Sequence, residues 1–240
     1  MDQTFRSGRM HPVSRIFAAL GLLLSSPAVA VGALAIKVSS PGPVLFRAAR
    51  VGRNGRPFSM LKLRTMHQRP DGASARITGR RDTRVFTAGR VLRRIKVDEI
   101  PQLVNVLRGE MALVGPRPED PSIVEDHYTP FMLQTLAVLP GLTSPGSLHY
   151  YADEAQLPDN AVEAEKTYVA DLLPRKIAVD LVYIHHRSWR YDVEVVVRTA
   201  ASMAGLSGAF SRRRAWERSE ADLLLARAAS EGDLVRAVGP

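Results

Sequence analysis

Two adjacent carboxylates, Asp98 and Glu99, follow a run of cations in the stretch RRIKVDEIPQLVNVLRGE, residues 93–110. A carboxylate can act as a nucleophile, and magnesium takes oxygen ligands with few protein contacts. Neighbours on a helix do not share a face, so one acid can point at a substrate while the other meets a cation or a backbone group. Acids at a helix start also cap it and complement its dipole with no chemistry at all. The pair alone admits both readings. Lys62, Arg64 and Arg117 are cations of the kind that clamps phosphate, arginine bidentately, and Arg93 opens the acidic stretch itself. A solvated basic face, or contact with lipid headgroups, is the alternative for them. Arg117 sits in Gly-Pro-Arg-Pro, where Pro116 and Pro118 stiffen the chain around it. His185 and His186 are adjacent and diverge on a helix, which favours ordinary partial burial over a metal site. Thr65 and Thr143 have no Ser/His/Asp arrangement behind them, and the chain holds neither a P-loop nor a GxGxxG.

These residues need elements to position them. Ile100, Leu103, Val104 and Leu107 recur at helical spacing. The expected helix has Asp98 as its N-cap, Pro101 in its first turn and Gly109 as its C-cap. Gly52-Arg53-Asn54-Gly55 separates two apolar stretches and predicts a β-hairpin. Residues 71–90 are polar and rich in Gly and Arg, which predicts a loop. MALVGPRPEDP (111–121) is strand-like until its Gly and Pro residues break it, and LPGLTSPGSLHYY (139–151) is a turn-rich loop. Residues 160–203 are mostly helical with an interruption at Pro174. The tail from Gly205 to Pro240 is either an amphipathic helix or loosely ordered.

The 240 residues carry a net charge of +9 with 45% hydrophobic residues, enough for a core and too apolar for global disorder. There is no cysteine, hence no disulfide and no thiolate-held metal. Between Asp2 and Asp71 no acidic residue occurs, while arginines and lysines recur. Such a block wants an anionic partner: nucleic acid, an anionic lipid surface or a phosphorylated substrate.

Residues 16–36 form an uncharged run, IFAALGLLLSSPAVAVGALAI, long enough as a helix to cross a hydrocarbon core of about 30 Å. It is long for the core of a signal peptide, and the chain beyond it stays basic. Cations flank it on both sides, Arg9 and Arg15 before, Lys37, Arg47 and Arg50 after, where a spanning helix wants them on one. Ser25-Ser26-Pro27 lies mid-segment, where proline removes a backbone hydrogen bond. A bent, re-entrant helix that enters and leaves by one face satisfies both facts and is placed ahead of a span.

Taken together, the SSP-broken hydrophobe, SSPGPVLFRAARVGRNGRPFSMLKLRTM, DTRVFTAGRVLRRIKVDEIPQLVNVLRGEMALVGPRPE, LPGLTSP and LPRKIAVDLVYIHHRSWRYDVEVVVRTA resemble the bacterial sugar transferases that are monotopic phosphoglycosyl transferases, over roughly residues 12–203. The resemblance implies a mostly helical α/β (α+β) protein: a re-entrant membrane helix hinged at Ser26-Pro27 (residues 1–37), a compact membrane-associated catalytic domain with a small β-hairpin (38–204), and a C-terminal tail (205–240). It implies the short form, without the multi-spanning N-terminal domain of longer members. The family's Asp-Glu dyad falls on Asp98 as nucleophile and Glu99 as support for Mg2+. Its Pro-Arg-Pro falls on Pro116, Arg117 and Pro118. Pro101 belongs to the dyad motif, and Lys62, Arg64, Arg93 and Arg117 are the expected phosphate-binding cations. The implied reaction moves a sugar 1-phosphate from a UDP-sugar to polyprenyl (undecaprenyl) phosphate through a covalent Asp intermediate and releases UMP. It would run on the cytoplasmic face of the inner membrane, with membrane lipids as partners, no nucleic acid, and a homo-oligomer left open. Two departures, Ala48 in FRAARVG and Thr-Ser-Pro in PGLTSPG, are expected to bear on substrate recognition. A non-catalytic, membrane-anchored basic scaffold for an acidic partner is the alternative.

Overall fold

The computed structural model describes residues 12–67, 82–154, 156–203 and 211–235. It is mostly helical, as expected, with two small sheets. The first 28 residues described form one helix, α1, Pro12–Ser39, with Pro27 inside it. Proline at 27 leaves the carbonyl of Leu23 without its usual N–H partner. The Ser26 hydroxyl donates to that carbonyl at 2.7 Å, and the Ser25 hydroxyl donates to Gly21 O at 2.6 Å. The helix runs through Ser25-Ser26-Pro27 without a gap, and Ser26 satisfies the acceptor that the proline orphans.

Strands β1, Leu45–Val51, and β2, Pro57–Leu63, form the expected antiparallel hairpin around Asn54, whose positive φ of 58° suits an asparagine turn. Ala48 pairs with Met60, and Phe46 with Lys62, so Lys62 shares the face that carries Ala48 and Met60. Ala48 is buried against Ala18, Met60, Val106 and Met111. Its departure from the family pattern is a packing feature beneath α1.

The stretch expected as a loop to residue 90 becomes helix α2, Thr87–Arg94; its residues 71–81 lie outside the described ones. Gly89 lets α2 lie flush on the chain leaving β2, since a Cβ there would come within 2.2 Å of Thr65 O. Val97–Glu99 is a short 3-10 turn, and α3, Gln102–Arg108, follows with Pro101 as its N-cap and Gly109 closing it at φ 82°. Asp98 is thus inside the turn and caps nothing, and Pro101 stands one step before the first turn. Asn105 joins α3 to the hairpin. Its side chain accepts from Leu61 N at 3.0 Å and donates to Ser59 O at 2.8 Å.

Strand β3, Ala112–Val114, pairs in parallel with β4, Gly141–Thr143, a strand inside the segment expected to be only loop. Short helices α4 (Pro121–His127) and α5 (Pro130–Leu133) link them, and α6 (Pro145–His149) and α7 (Tyr151–Glu154) follow β4. Helix α8, Ala161–Thr167, passes through a π turn at Tyr168–Leu172 into α9, Leu173–His185, so Pro174 opens a helix. Helices α10, Trp189–Met203, and α11, Ser211–Glu231, complete the order. The main core surrounds α9, where Leu173, Val179, Leu181, Val182 and Tyr183 are almost fully buried.

The described part of the tail is helical over Ser211–Glu231 and belongs to this core. Ala221 and Ala228 of α11 are buried, and Glu217 is 0% exposed. Both Glu217 oxygens pair with Arg198 of α10, at 2.6 and 2.8 Å, and Oε2 also meets His149 Nε2 at 2.6 Å. Truncating one member of a buried ion pair leaves the other charged and unpartnered, at about 3–5 kcal/mol. Glu217→Ala should therefore destabilise the domain by about that amount in urea unfolding. A change below about 1 kcal/mol would mean that α11 is dispensable to the fold.

Candidate active site

The acidic pair occupies the junction between α2 and α3. A non-glycine residue in the left-handed region, Lys96 at φ 58°, turns the chain so that Val97–Glu99 winds tightly before Pro101. Asp98 is 6% exposed, and its Oδ1 is buried without a hydrogen-bond partner among the described residues. Glu99 lies in a nest of cations. Its Oε1 is 3.1 Å from Arg117 Nη2, 3.7 Å from Lys62 Nζ and 4.0 Å from Lys96 Nζ. The three cations come from the loop after β3, from β2 and from the α2–α3 junction.

The two carboxyls are pushed in opposite directions. Burial, then the neighbouring Glu99 charge, raises Asp98, opposed by Lys62, Arg93 and Lys96. Burial alone would raise Glu99 too, but Arg117, Lys62 and Lys96 outweigh it and hold it at about 2. Lys62 is brought down to about 8, by burial first and Arg117 next, with Glu99 and Asp98 opposing. Paired acids whose environments separate them in this way are a mark of functional sites.

The structure brings Asp98, Glu99, Lys62, Arg93 and Arg117 together. Arg93 donates from Nε to Thr65 Oγ1 at 2.9 Å and feels both carboxylates through their charge. Arg64 is elsewhere. Its Nε, Nη1 and Nη2 donate to Pro43 O, Ser40 Oγ and Ser40 O at 2.7, 3.0 and 2.8 Å, and it is 3% exposed. It latches the end of α1 to the hairpin. Pro116 and Pro118 flank Arg117 as the motif requires. The backbone N–H of Arg117 points at Asp180 at 3.4 Å, and Asp180 also accepts from Ser144 Oγ and Gly146 N at 2.8 and 2.9 Å. The Thr-Ser-Pro-Gly departure therefore serves as the anchor of the loop that carries Arg117. His185 and His186 are exposed rather than partly buried, and the His186 ring meets Trp216 edge-on at 5.2 Å.

Sequence reasoning passed over Lys96, Asp180 and Gln102. Gln102 is 0% exposed with neither amide atom hydrogen-bonded among the described residues, four positions beyond Asp98. No spacing rule marks a lysine for the left-handed region, or an aspartate 63 residues from the loop it holds.

The chain matches the model of the family described as bacterial sugar transferase over residues 9–205. It belongs to the bacterial sugar transferase family. It is 39% identical over 205 residues to a UDP-glucose:undecaprenyl-phosphate glucose-1-phosphate transferase of Caulobacter vibrioides, covering 84% of this chain and 72% of that one. It is 36% identical to a UDP-N-acetylgalactosamine-undecaprenyl-phosphate N-acetylgalactosaminephosphotransferase of Aeromonas hydrophila, covering 76% of this chain and 40% of that one. A third relative, exopolysaccharide production protein PSS of Rhizobium leguminosarum, is 32% identical, with 78% and 91% covered. The chain thus spans about two fifths of the Aeromonas relative. Within the family match lie the dyad and its cations; α11 lies beyond it.

The Glu99 charge has a consequence for stability. Its folded value of about 2 lies below the ordinary 4.5, so its contribution is full above about 4.5 and is lost as pH falls toward 2. Urea unfolding of the wild type should weaken across that window, with Glu217, also held at about 2, contributing to the loss. Glu99→Gln should weaken less steeply. An unchanged slope in the variant would mean that Glu99 is not held ionised by its three cations.

Proposed function

We propose that the chain moves a sugar 1-phosphate from a UDP-sugar to polyprenyl phosphate, and that it does so through a covalent intermediate on Asp98. The observation that carries this reading is the contrast within the dyad. Asp98 is buried, raised and has an oxygen with no partner among the described residues, which is how a nucleophile is kept available. Glu99 is ionised and ion-paired, and the surplus cations around it suit a diphosphate. Two of the relatives named above carry names for this type of transfer, with glucose or N-acetylgalactosamine as the sugar.

In the first step an Asp98 carboxylate oxygen attacks the β-phosphorus of the UDP-sugar. The bond from that phosphorus to the bridging oxygen breaks, UMP leaves with the electron pair, and an acyl phosphate bearing the sugar remains. In the second step a phosphate oxygen of polyprenyl phosphate attacks the same phosphorus. The bond from that phosphorus to the Asp98 oxygen breaks, the carboxylate is restored, and polyprenyl diphosphate sugar is formed. Arg117 and Lys62 balance the charge that shifts from donor to leaving group.

Mg2+ fits the donor chemistry. Asp98 and Glu99 offer oxygen ligands, and Asp98 Oδ1 has no hydrogen-bond partner among the described residues. Mg2+ is ordinarily held by one or two carboxylates with waters and substrate phosphates. When bound it would offset the diphosphate charge.

The membrane reading rests on α1. The segment Ser14–Ser39 is long and apolar enough to cross a bilayer, and Leu20, Leu23, Leu24, Val31 and Leu34 are exposed along it. Yet Ala18, Gly21, Gly32 and Ile36 pack on the rest of the molecule, against Leu103, Leu63 and Leu92 among others. These contacts run along about 27 Å of helix. A spanning α1 would pull the charged α2 and α3 into hydrocarbon with it. A shallow, re-entrant helix on the cytoplasmic face leaves them in the interface.

Two tests address the reading. Asp98→Asn keeps the shape and removes the attacking charge, so UMP release should fall by orders of magnitude. Enzyme with UDP-sugar alone should release up to about one equivalent of UMP and gain the phosphosugar mass, an adduct absent from Asp98→Asn. A strict need for polyprenyl phosphate before any UMP appears would favour direct transfer. For topology, the chain lacks cysteine, so Arg9→Cys (outside the described residues) and Arg47→Cys report cleanly on sidedness. Both should be shielded from an impermeant thiol reagent in intact cells and labelled in inverted vesicles. Labelling on opposite sides would establish a span.

A further inference from the structure

Lys96 is the most exposed of the three cations on Glu99, at 34% of its side chain against 20% for Lys62 and 26% for Arg117. Its backbone occupies the left-handed region, a conformation that side-chain-bearing residues adopt at a cost and that clusters at functional sites. Its ammonium lies 4.8 Å from the ring centroid of Tyr151. Tyr151 is 49% exposed, while its neighbour Tyr150 is buried in the main core. At the other end of α7, Glu154 is ion-paired to the buried Lys176. The short helix is therefore anchored on both sides of a ring that faces solvent. Two successive contacts, 4.0 Å from Glu99 to Lys96 and 4.8 Å from Lys96 to the ring, place a fixed, open aromatic face one side chain away from the dyad.

We propose that Lys96 and Tyr151 form a subsite for the donor, in which Lys96 meets the diphosphate and the Tyr151 ring carries the ring attached next to it. The proposal rests on the UDP-sugar reading given above. Such a donor has a ring at each end of its diphosphate, a planar uracil through its ribose and a puckered pyranose directly, and either can lay a face, π or C–H, on an aromatic ring. A ring beside the phosphate-binding cations can hold either by stacking, as tyrosine faces commonly do. The cation–π contact keeps the lysine over the ring until the diphosphate draws it away. The left-handed turn at Lys96 is what aims that side chain outward while Asp98 and Glu99 turn inward.

The test is UMP-release kinetics with the purified full-length chain across a panel of UDP-sugars, with UDP as a competing ligand. Tyr151→Ala should raise KM for the donor about tenfold, with kcat changed less than about twofold. Tyr151→Leu, which keeps apolar bulk and loses the aromatic face, should do the same, and Tyr151→Phe should leave KM unchanged. Lys96→Gly should raise KM while melting no lower than wild type, because glycine accepts the left-handed backbone freely. A parallel loss of UDP inhibition in Tyr151→Ala assigns the ring to the uracil end. Unchanged UDP inhibition with an altered preference among sugars assigns it to the pyranose end; both results support the subsite. Wild-type KM and sugar preference in both Tyr151→Ala and Tyr151→Leu would overturn it. A wild-type chain that releases no UMP from any UDP-sugar would overturn the donor reading itself, and is distinguishable because it precedes any comparison of variants.

Discussion

One carboxylate oxygen, Glu99 Oε1, is the point on which the site depends. Arg117, Lys62 and Lys96 reach it from three different parts of the chain. None of those side chains is free to be there unless its own element is fixed. Lys62 requires the hairpin register and the Asn105 bridge from α3. Arg117 requires the parallel pairing of β3 with β4 and the Asp180 anchor. Lys96 requires a strained backbone turn. Removing a carboxylate of this kind from water is costly in itself, and only converging opposite charges offset the penalty. The charge cluster and the fold therefore specify each other.

Asp98 shows why the neighbouring acid needs a different environment. Had the cations been shared equally, both acids would be equally well stabilised and neither would stand ready to react. The 3-10 turn sends these two adjacent residues to different surroundings. Glu99 is drawn into the cationic nest. Asp98 is enclosed, raised, and left with an unpartnered oxygen. On the proposed mechanism, this is how an anionic nucleophile approaches an anionic donor. The charge of the donor is met by cations that already balance Glu99, while Asp98 keeps a lone pair that no hydrogen bond occupies.

Much of this was legible in the sequence because the informative patterns are local. The Asp-Glu pair, the apolar spacing from Ile100 to Leu107, the Asn-Gly turn and the Pro-Arg-Pro motif each lie within a dozen residues. The structure keeps them, with Asp98 moved from the cap into the turn. What was not legible depends on distant partners. Arg64 looks like a phosphate cation by type and position, but the Ser40 and Pro43 oxygens it meets belong to the chain leaving α1. The tail looked like an appendage because its charges are those of a solvated helix. Only the buried Glu217–Arg198 pair reveals it as part of the core. The strand β4 was hidden among glycines and prolines, since its pairing is parallel and its partner lies about 30 residues earlier.

The proline in α1 shows how far a local rule carries. Proline in a helix leaves an acceptor without a donor, and in lipid, with no water to supply one, that acceptor must be satisfied within the protein. Ser26 supplies the donor from the adjacent position, so Ser-Pro here preserves helix continuity where proline alone would break it. On the proposed topology this helix is held shallow by what lies beside it. Its small residues, Ala18, Gly21 and Gly32, let α3, β2 and α2 approach closely. Those same elements carry Lys62, Arg93 and, through α3, the Asn105 bridge. On that reading, the depth of α1 in a bilayer and the geometry of the dyad are set by one packing interface. An acceptor phosphate whose hydrocarbon chain stays in lipid would meet Asp98 only because that interface fixes both.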